Sequence, residues 1–322
     1  MLKSNKLTTI NHYFCNIPTA ASGLALAIAS LGLSWEHFAP LQGKAQVFGA
    51  CIAACILLLL MIKFVFNPHL FKQDLQHPIA GTVIPTLAMA MMVIANSIAL
   101  YYLQLGQIIS WLAIILHLYF LGYFILSRSK DFQFKQILPS WFIPPIGLVL
   151  ALITHPGGLT PIVTQFIFTL GLASYTLLLP IVLYRLCFGG VLNDNEKPII
   201  VILATPASLL LLAYLATSPL PNTIIIAVLF CLALIMTLYV YFAFKNLLRL
   251  SYTPAYSAFT FPLVVGAVTL LKMSEFLSEQ GVTVYWVNMT AQLANIELAI
   301  ASAMVLYVSF HYLPHFFNRA SR

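Results

Sequence analysis

Five prolines recur at nearly equal intervals along the 322-residue chain, each a turn or two inside the start of an apolar span: Pro18, Pro85, Pro145 (beside Pro144), Pro206 and Pro262. The intervals are 67, 60, 61 and 56 residues. Four of the five have a companion 6 to 8 residues earlier, at Pro78, Pro139, Pro198 and Pro254. Proline removes a backbone donor and crowds the preceding turn, so Pro18, Pro85, Pro144, Pro145, Pro206 and Pro262 are each expected to kink the helix that carries them. Its return to the same place in a unit near 60 residues long therefore marks an internal repeat. A membrane helix takes about 20 apolar residues, so each unit has room for two helices and their turns. Five units predict ten helices, with the proline in the odd-numbered member each time.

The composition agrees, since 61% of the residues are hydrophobic and only 7% are charged. Such a chain is expected to be an integral membrane protein. Three stretches, Leu75–Ser127, Gln136–Tyr184 and Pro198–Phe244, contain no Asp, Glu, Lys or Arg. Each fits two spans joined by an uncharged turn, marked by Gly106, by Pro156-Gly157-Gly158 and by Pro219 with Pro221. The expected architecture is all-α: a single transmembrane domain over residues 1–322. Its spans are placed at 13–34, 45–66, 79–101, 106–127, 138–154, 161–186, 198–216, 221–244, 254–276 and 285–310. The first is read as part of the repeat and not as a cleavable signal peptide. The five cysteines read as small apolar residues, with no disulfide or metal spacing, and no cofactor is expected.

Basic residues set the orientation. Lys3, Lys6, Lys63, Lys72, Arg128, Lys130, Lys135, Arg185, Lys197, Lys245, Arg249, Arg319 and Arg322 fall on one side, against Lys44 and Lys272 on the other. The positive-inside rule makes the first side cytoplasmic, with both termini there. The formal charge of +7 then belongs to that rim and carries no suggestion of nucleic acid.

Repeats pointing the same way are related by rotation about the membrane normal. Five hairpins around one axis predict a quasi-fivefold arrangement with odd helices inside and a central pore. The odd spans carry the prolines and are rich in small and hydroxyl residues: Thr19, Ser22, Gly23, Gly81, Thr82, Thr86, Gly147, Thr205, Ser208, Ser257, Thr260 and Gly266. Close helix packing would also use such residues; it is the recurrence that favours a pore. With no charge in the middle of an odd span, helix N-termini at the cytoplasmic mouth and the basic rim favour anions.

Three segments carry a resemblance: Tyr13-Phe14-Cys15-Asn16-Ile17-Pro18 with Gly23-Leu24-Ala25-Leu26, then Leu138-Pro139-Ser140-Trp141-Phe142-Ile143-Pro144-Pro145, then Ala258-Phe259-Thr260-Phe261-Pro262. In this order, over about residues 12–310, they resemble the tellurite-resistance/dicarboxylate transporter family. That family includes bacterial TehA proteins, fungal malate and sulfite permeases and the plant guard-cell slow anion channel. The resemblance implies helical hairpins around a pore in each subunit, a homotrimer in the plasma (inner) membrane, and a phenylalanine of the ninth helix that plugs the pore. The matching residue is Phe261, with Phe259 as runner-up. An aromatic ring in a narrow apolar pore excludes water and ions until it turns aside. Tellurite in the family name is not read as a substrate.

Glu297, near the middle of the tenth span, is costly as a free carboxylate in lipid. It is either a proton site coupling transport to pH or a hydrogen-bonded group joining helix ten to a neighbour, with Asn295 or Gln292 as partners. His117 reads as a hydrogen-bonded packing residue, and Lys272 with Glu275 as a rim pair. The leading function is an anion channel or channel-like exporter of small inorganic or carboxylate anions. The rival in the same fold is a proton-coupled carrier for C4-dicarboxylates or sulfite. A membrane-embedded transferase would need clustered acidic residues or a His/Asp/Ser set, and the sequence supplies neither.

Overall fold

The computed structural model describes residues 14–317, with nothing to be said of the Phe317 side chain. Lys3, Lys6, Tyr13, Arg319 and Arg322 lie outside the described residues. Within them the chain is helical, without strands. Eight helices are long and apolar enough to cross a membrane. Two other apolar stretches fall at expected spans: α1 (Ala21–Phe38), which carries Glu36 and His37 in its last turn, and the shorter Pro139–Thr154.

The longer helices divide by burial. Within an apolar 18-residue stretch of each, segments Ala80–Ala99, Lys197–Thr217 and Pro254–Glu279 are 72%, 78% and 72% buried. By the same measure helices α2 (Lys44–Phe66), α6 (Leu103–Lys130), α9 (Pro161–Phe188), α11 (Thr223–Leu247) and α13 (Val284–Phe317) are only 22% to 44% buried. The exposed remainder is apolar, with Phe48, Ile162, Phe166, Ile224, Phe242 and Phe310 turned outward. Such faces suit lipid. Tyr101, Tyr102, Tyr285 and Trp286, exposed at span ends, suit the headgroup level.

The inner segments touch in sequence. α1 packs on α5 (Thr86–Ala99), α5 on α8 (Ala151–Thr154), α8 on α10 (Thr205–Thr217), α10 on α12 (Phe261–Glu279), and α12 returns to α1. Each is also backed by the outer helix that follows it in the chain. The α1–α2 hairpin is packed backbone to backbone. A Cβ on Gly32 would lie 2.4 Å from the Ala45 carbonyl oxygen, and one on Gly49 would lie 2.6 Å from that of Ile28. Only glycine permits this approach.

The repeated prolines do not bend continuous α-helices. The companions at 139, 198 and 254 open 3-10 turns, Pro139–Phe142, Lys197–Ala204 and Pro254–Phe259. The second proline then stands in the first turn of an α-helix, as Pro144 does in α7 (Ile143–Ile146), Pro206 in α10 and Pro262 in α12. Pro85 is the N-cap of α5, after the short α4 (Ala80–Val83), and Pro18 precedes α1. Proline's missing N–H costs least at such positions. The kinks expected at Pro18, Pro85, Pro144, Pro145, Pro206 and Pro262 are therefore junctions where 3-10 or turn geometry gives way to α-helix. Nearby hydroxyls add bonds to carbonyls around these junctions: Ser22 donates to the Thr19 carbonyl at 2.8 Å, Thr82 to Ile79 at 2.7 Å, Thr86 to Val83 at 2.8 Å and Ser208 to Ala204 at 2.9 Å.

Candidate conduction path

Three cavities follow one another between the inner segments. The first, of about 490 Å³, opens at the face that carries most of the basic residues and is lined by Cys15, Pro18, Lys63, Asp74 and His77 among others. The second is central, about 50 Å³, with walls from all the inner segments, including Gly23, Thr86, Gly147, Thr205 and Pro262. The third, about 260 Å³, lies toward the opposite face between Ser34, Val93, Leu150, Leu212 and Lys272. Ile143, Ile202 and Ser257 line both the first and the second. Among the described residues, Phe261 alone lines both the second and the third.

The two phenylalanines of the ninth span have different places. Phe261 is the first residue of α12 and lines two cavities. Phe259 is fully buried away from them, 4.6 Å from the Tyr256 ring centroid and 5.3 Å from that of Phe244. The face of α12 that continues from Phe261 runs through Val265 and Val268 to Lys272, at spacings of a helical stripe.

The central cavity has no charged side chain in its lining among the described residues. Thr86 and Thr205 begin α5 and α10, and Phe261 with Pro262 begins α12. All line this cavity. The α-helical N-termini, expected at the mouth, lie deeper because 3-10 and turn segments occupy the first part of each inner span. A helix N-terminus favours an anion by about 0.3–1 kcal/mol.

The basic rim is partly committed to the fold. Lys63 is buried; its Nζ donates to the Ile17 carbonyl at 3.0 Å, to Thr19 Oγ1 at 3.2 Å and to Asp74 Oδ2 at 3.2 Å. Asp74, on the short α3 (Pro68–Gln76), also accepts from the Thr19 hydroxyl at 2.5 Å. Buried Arg128 donates to the Gln76 carbonyl and to Gln136 Oε1, and buried Arg185 to the carbonyls of Lys135 and Gly190. The positive-inside count could not show this division of labour.

Glu297 lies on α13 and faces the back of α12. Tyr241 of α11 donates its hydroxyl to Oε2, while Oε1 is buried without a hydrogen-bond partner. Neither expected partner is used: Asn295 bonds the Ala291 carbonyl on its own helix, and Tyr241 takes the carboxylate instead. The side chain borders a separate cavity of about 20 Å³ with Gly266, Thr269 and Ser208. Sequence distance hid Tyr241, 56 residues away. His117, also buried, sets Nε2 2.8 Å from the Pro144 carbonyl oxygen and packs close to Gly147.

Comparison with known proteins gives the family. A family model for the voltage-dependent anion channel, SLAC1, matches residues 13–311. An uncharacterized transporter of Methanocaldococcus jannaschii is 24% identical over 324 aligned positions, covering 88% of this chain and 91% of the relative. A second uncharacterized transporter of the same organism is 28% identical over 248 positions, 68% of this chain and 71% of the relative. The chain is a multi-pass membrane protein of the SLAC1 voltage-dependent anion channel family, which includes the tellurite-resistance/dicarboxylate transporters, and so belongs among anion transporters and channels.

Proposed function

We propose that the chain is an anion channel that passes small inorganic or carboxylate anions along the axis enclosed by its inner segments, with the Phe261 ring as the gate. The observation that carries this is the position of Phe261 as the one residue, among those described, shared by the central cavity and the cavity beyond it. Turning the ring about χ1 would join the two spaces without moving the backbone. Helix N-termini around an uncharged apolar constriction favour a passing anion without trapping it.

In this reading ten spans form five hairpins in quasi-fivefold order, Ala21–Phe38 and Pro139–Thr154 being the first and fifth. The basic face is cytoplasmic, both termini included, the membrane is the plasma (inner) membrane, and family likeness supports a homotrimer. The carrier alternative rests on Glu297 as a proton site. Glu297 borders none of the three cavities in the row, which favours the channel.

The test is current across a planar bilayer under a potassium chloride gradient, for wild type and Phe261→Ala. A nearly silent wild type and a conducting variant that reverses near the chloride equilibrium potential support the gated pore. Silence from both, with pH-driven liposome uptake of succinate or sulfite that Glu297→Gln abolishes, would replace it with the carrier.

A further inference from the structure

We infer that the cavity beyond Phe261 is an anion-binding site, built by Lys272 and His37, that holds a small oxyanion where the path leaves the protein. The assignment rests on the conduction reading for its role but not for its chemistry.

The cavity has about 260 Å³ of space, several times that of the central one. One water molecule takes about 30 Å³ in the liquid. A partly hydrated oxyanion therefore fits here and does not fit at the constriction. The inner wall is apolar, with Leu33, Val93, Leu150 and Leu212. Polar groups gather toward α1 and the outer end of α12: Ser30, Ser34, His37 and Lys272.

These groups can supply donors. The Ser30 hydroxyl is buried without a hydrogen-bond partner, so its proton is uncommitted. Ser34 donates to the Ser30 carbonyl at 2.7 Å. Lys272 Nζ is 2.6 Å from Glu275 Oε2, in a partly exposed pair one helical turn long. Such pairs contribute little in solvent, and the ammonium keeps two further N–H groups. His37 adds a donor and, when protonated, a second positive charge.

The acidic groups are accounted for. The charged groups acting on His37 are Lys272 and Glu275 of α12 and Glu36 of its own helix. Glu36 is turned into the α1–α2 loop, where it accepts from the backbone amides of Gly43 at 2.9 Å, Ala45 at 2.8 Å and Gln46 at 3.3 Å. Glu275 offsets Lys272 within their pair, and Glu36 acts on His37 from its loop, so protonating His37 raises the local balance by one positive charge. Protonation of His37 adds a positive charge, so the site gains affinity on acidification.

The probe is radiolabelled sulfate, a dianion at every pH used, bound to the purified full-length wild-type protein in detergent and read by scintillation proximity. We expect saturable binding that is severalfold tighter at about pH 5 than at about pH 7.5. Lys272→Gln should weaken it about tenfold, the scale of one charge-assisted hydrogen bond, while Lys272→Arg keeps most of it. His37→Gln should remove the gain at low pH, and Glu275→Gln should tighten binding. Variants are compared only where they elute from size exclusion as wild type does; the arginine variant serves where glutamine at 272 prevents folding. No saturable binding at low pH, or equal binding by wild type and both His37→Gln and Lys272→Gln, overturns the site. Current through Phe261→Ala is recorded separately. Binding without current leaves the site and removes the conduction path, and current without binding does the reverse.

Discussion

Glu297 turns its Oε1 toward Gly266, where an added Cβ would lie 3.0 Å from that oxygen. Gly266 stands on the helix that begins with Phe261. The carboxylate is held from its other side by the Tyr241 hydroxyl, so it has little freedom to retreat. Three helices, α11, α12 and α13, thus meet at one side chain.

This contact predicts a coupled pair. Gly266→Ala should cost about 1–3 kcal/mol, the usual penalty for overpacking, read as a fall in thermal unfolding midpoint in detergent. In a Glu297→Ala background the added methyl should cost at least about 1 kcal/mol less, since contacting residues are not additive. Additive losses would mean that the carboxylate does not set the spacing between α12 and α13.

The two phenylalanines should separate by phenotype. Phe259→Ala removes a ring from the Tyr256–Phe244 cluster, and a buried Phe→Ala change costs about 3–5 kcal/mol. It should lower the unfolding midpoint and leave the bilayer as silent as wild type. Phe261→Ala also removes a buried ring and should cost stability too, but it alone of the two should give a large current. A conducting Phe259→Ala variant would place the barrier elsewhere.

Much of this layout is legible in the sequence. The proline recurrence marks the inner segments, because helix starts beneath a repeat leave the same residue at the same place. The uncharged stretches mark the hairpins. Less legible is what the prolines do: a 3-10 turn and a kinked α-helix present the same residues, and only backbone geometry separates them. The hydroxyls of the odd spans read as pore lining, yet Ser22, Thr82 and Ser208 are bonded to carbonyls of their own segments. The sequence also shows Lys63 as one more rim cation. Its burial depends on Asp74, Thr19 and Ile17, which three separate elements bring together.

That cluster yields a third prediction. Asp74→Ala leaves the Lys63 ammonium buried without its counter-charge. Breaking a buried pair costs about 3–5 kcal/mol, and the quarter exposure of the Asp74 side chain places the loss at the lower end. The double variant Lys63→Met/Asp74→Leu should recover much of the stability, since an apolar pair of similar volume avoids desolvating either charge. The check is the unfolding midpoint of all three variants in the same detergent. A double variant as unstable as Asp74→Ala would show that Lys63 matters for its bond to the Ile17 carbonyl more than for its charge.

The loop between α8 and α9 supplies a pH prediction. His155 is buried there, with Nδ1 2.8 Å from the Ser110 hydroxyl and its ring against Trp111. Burial holds its pKa below the ordinary imidazole value, because the charged form loses hydration. An unfolded chain therefore takes up this proton at higher pH than the folded one. Above about pH 6.5 the histidine is neutral in both states and contributes no pH dependence. As pH falls through that value the unfolded state binds more protons, and the folded state loses stability until its own lower pKa is reached. Wild type should lose more of its unfolding midpoint between about pH 8 and about pH 5 than His155→Gln does, with the difference confined to the acid half of that range. Parallel profiles for the two proteins would mean that the imidazole is protonated in place, and that the loop opens to water before the rest of the helical body yields.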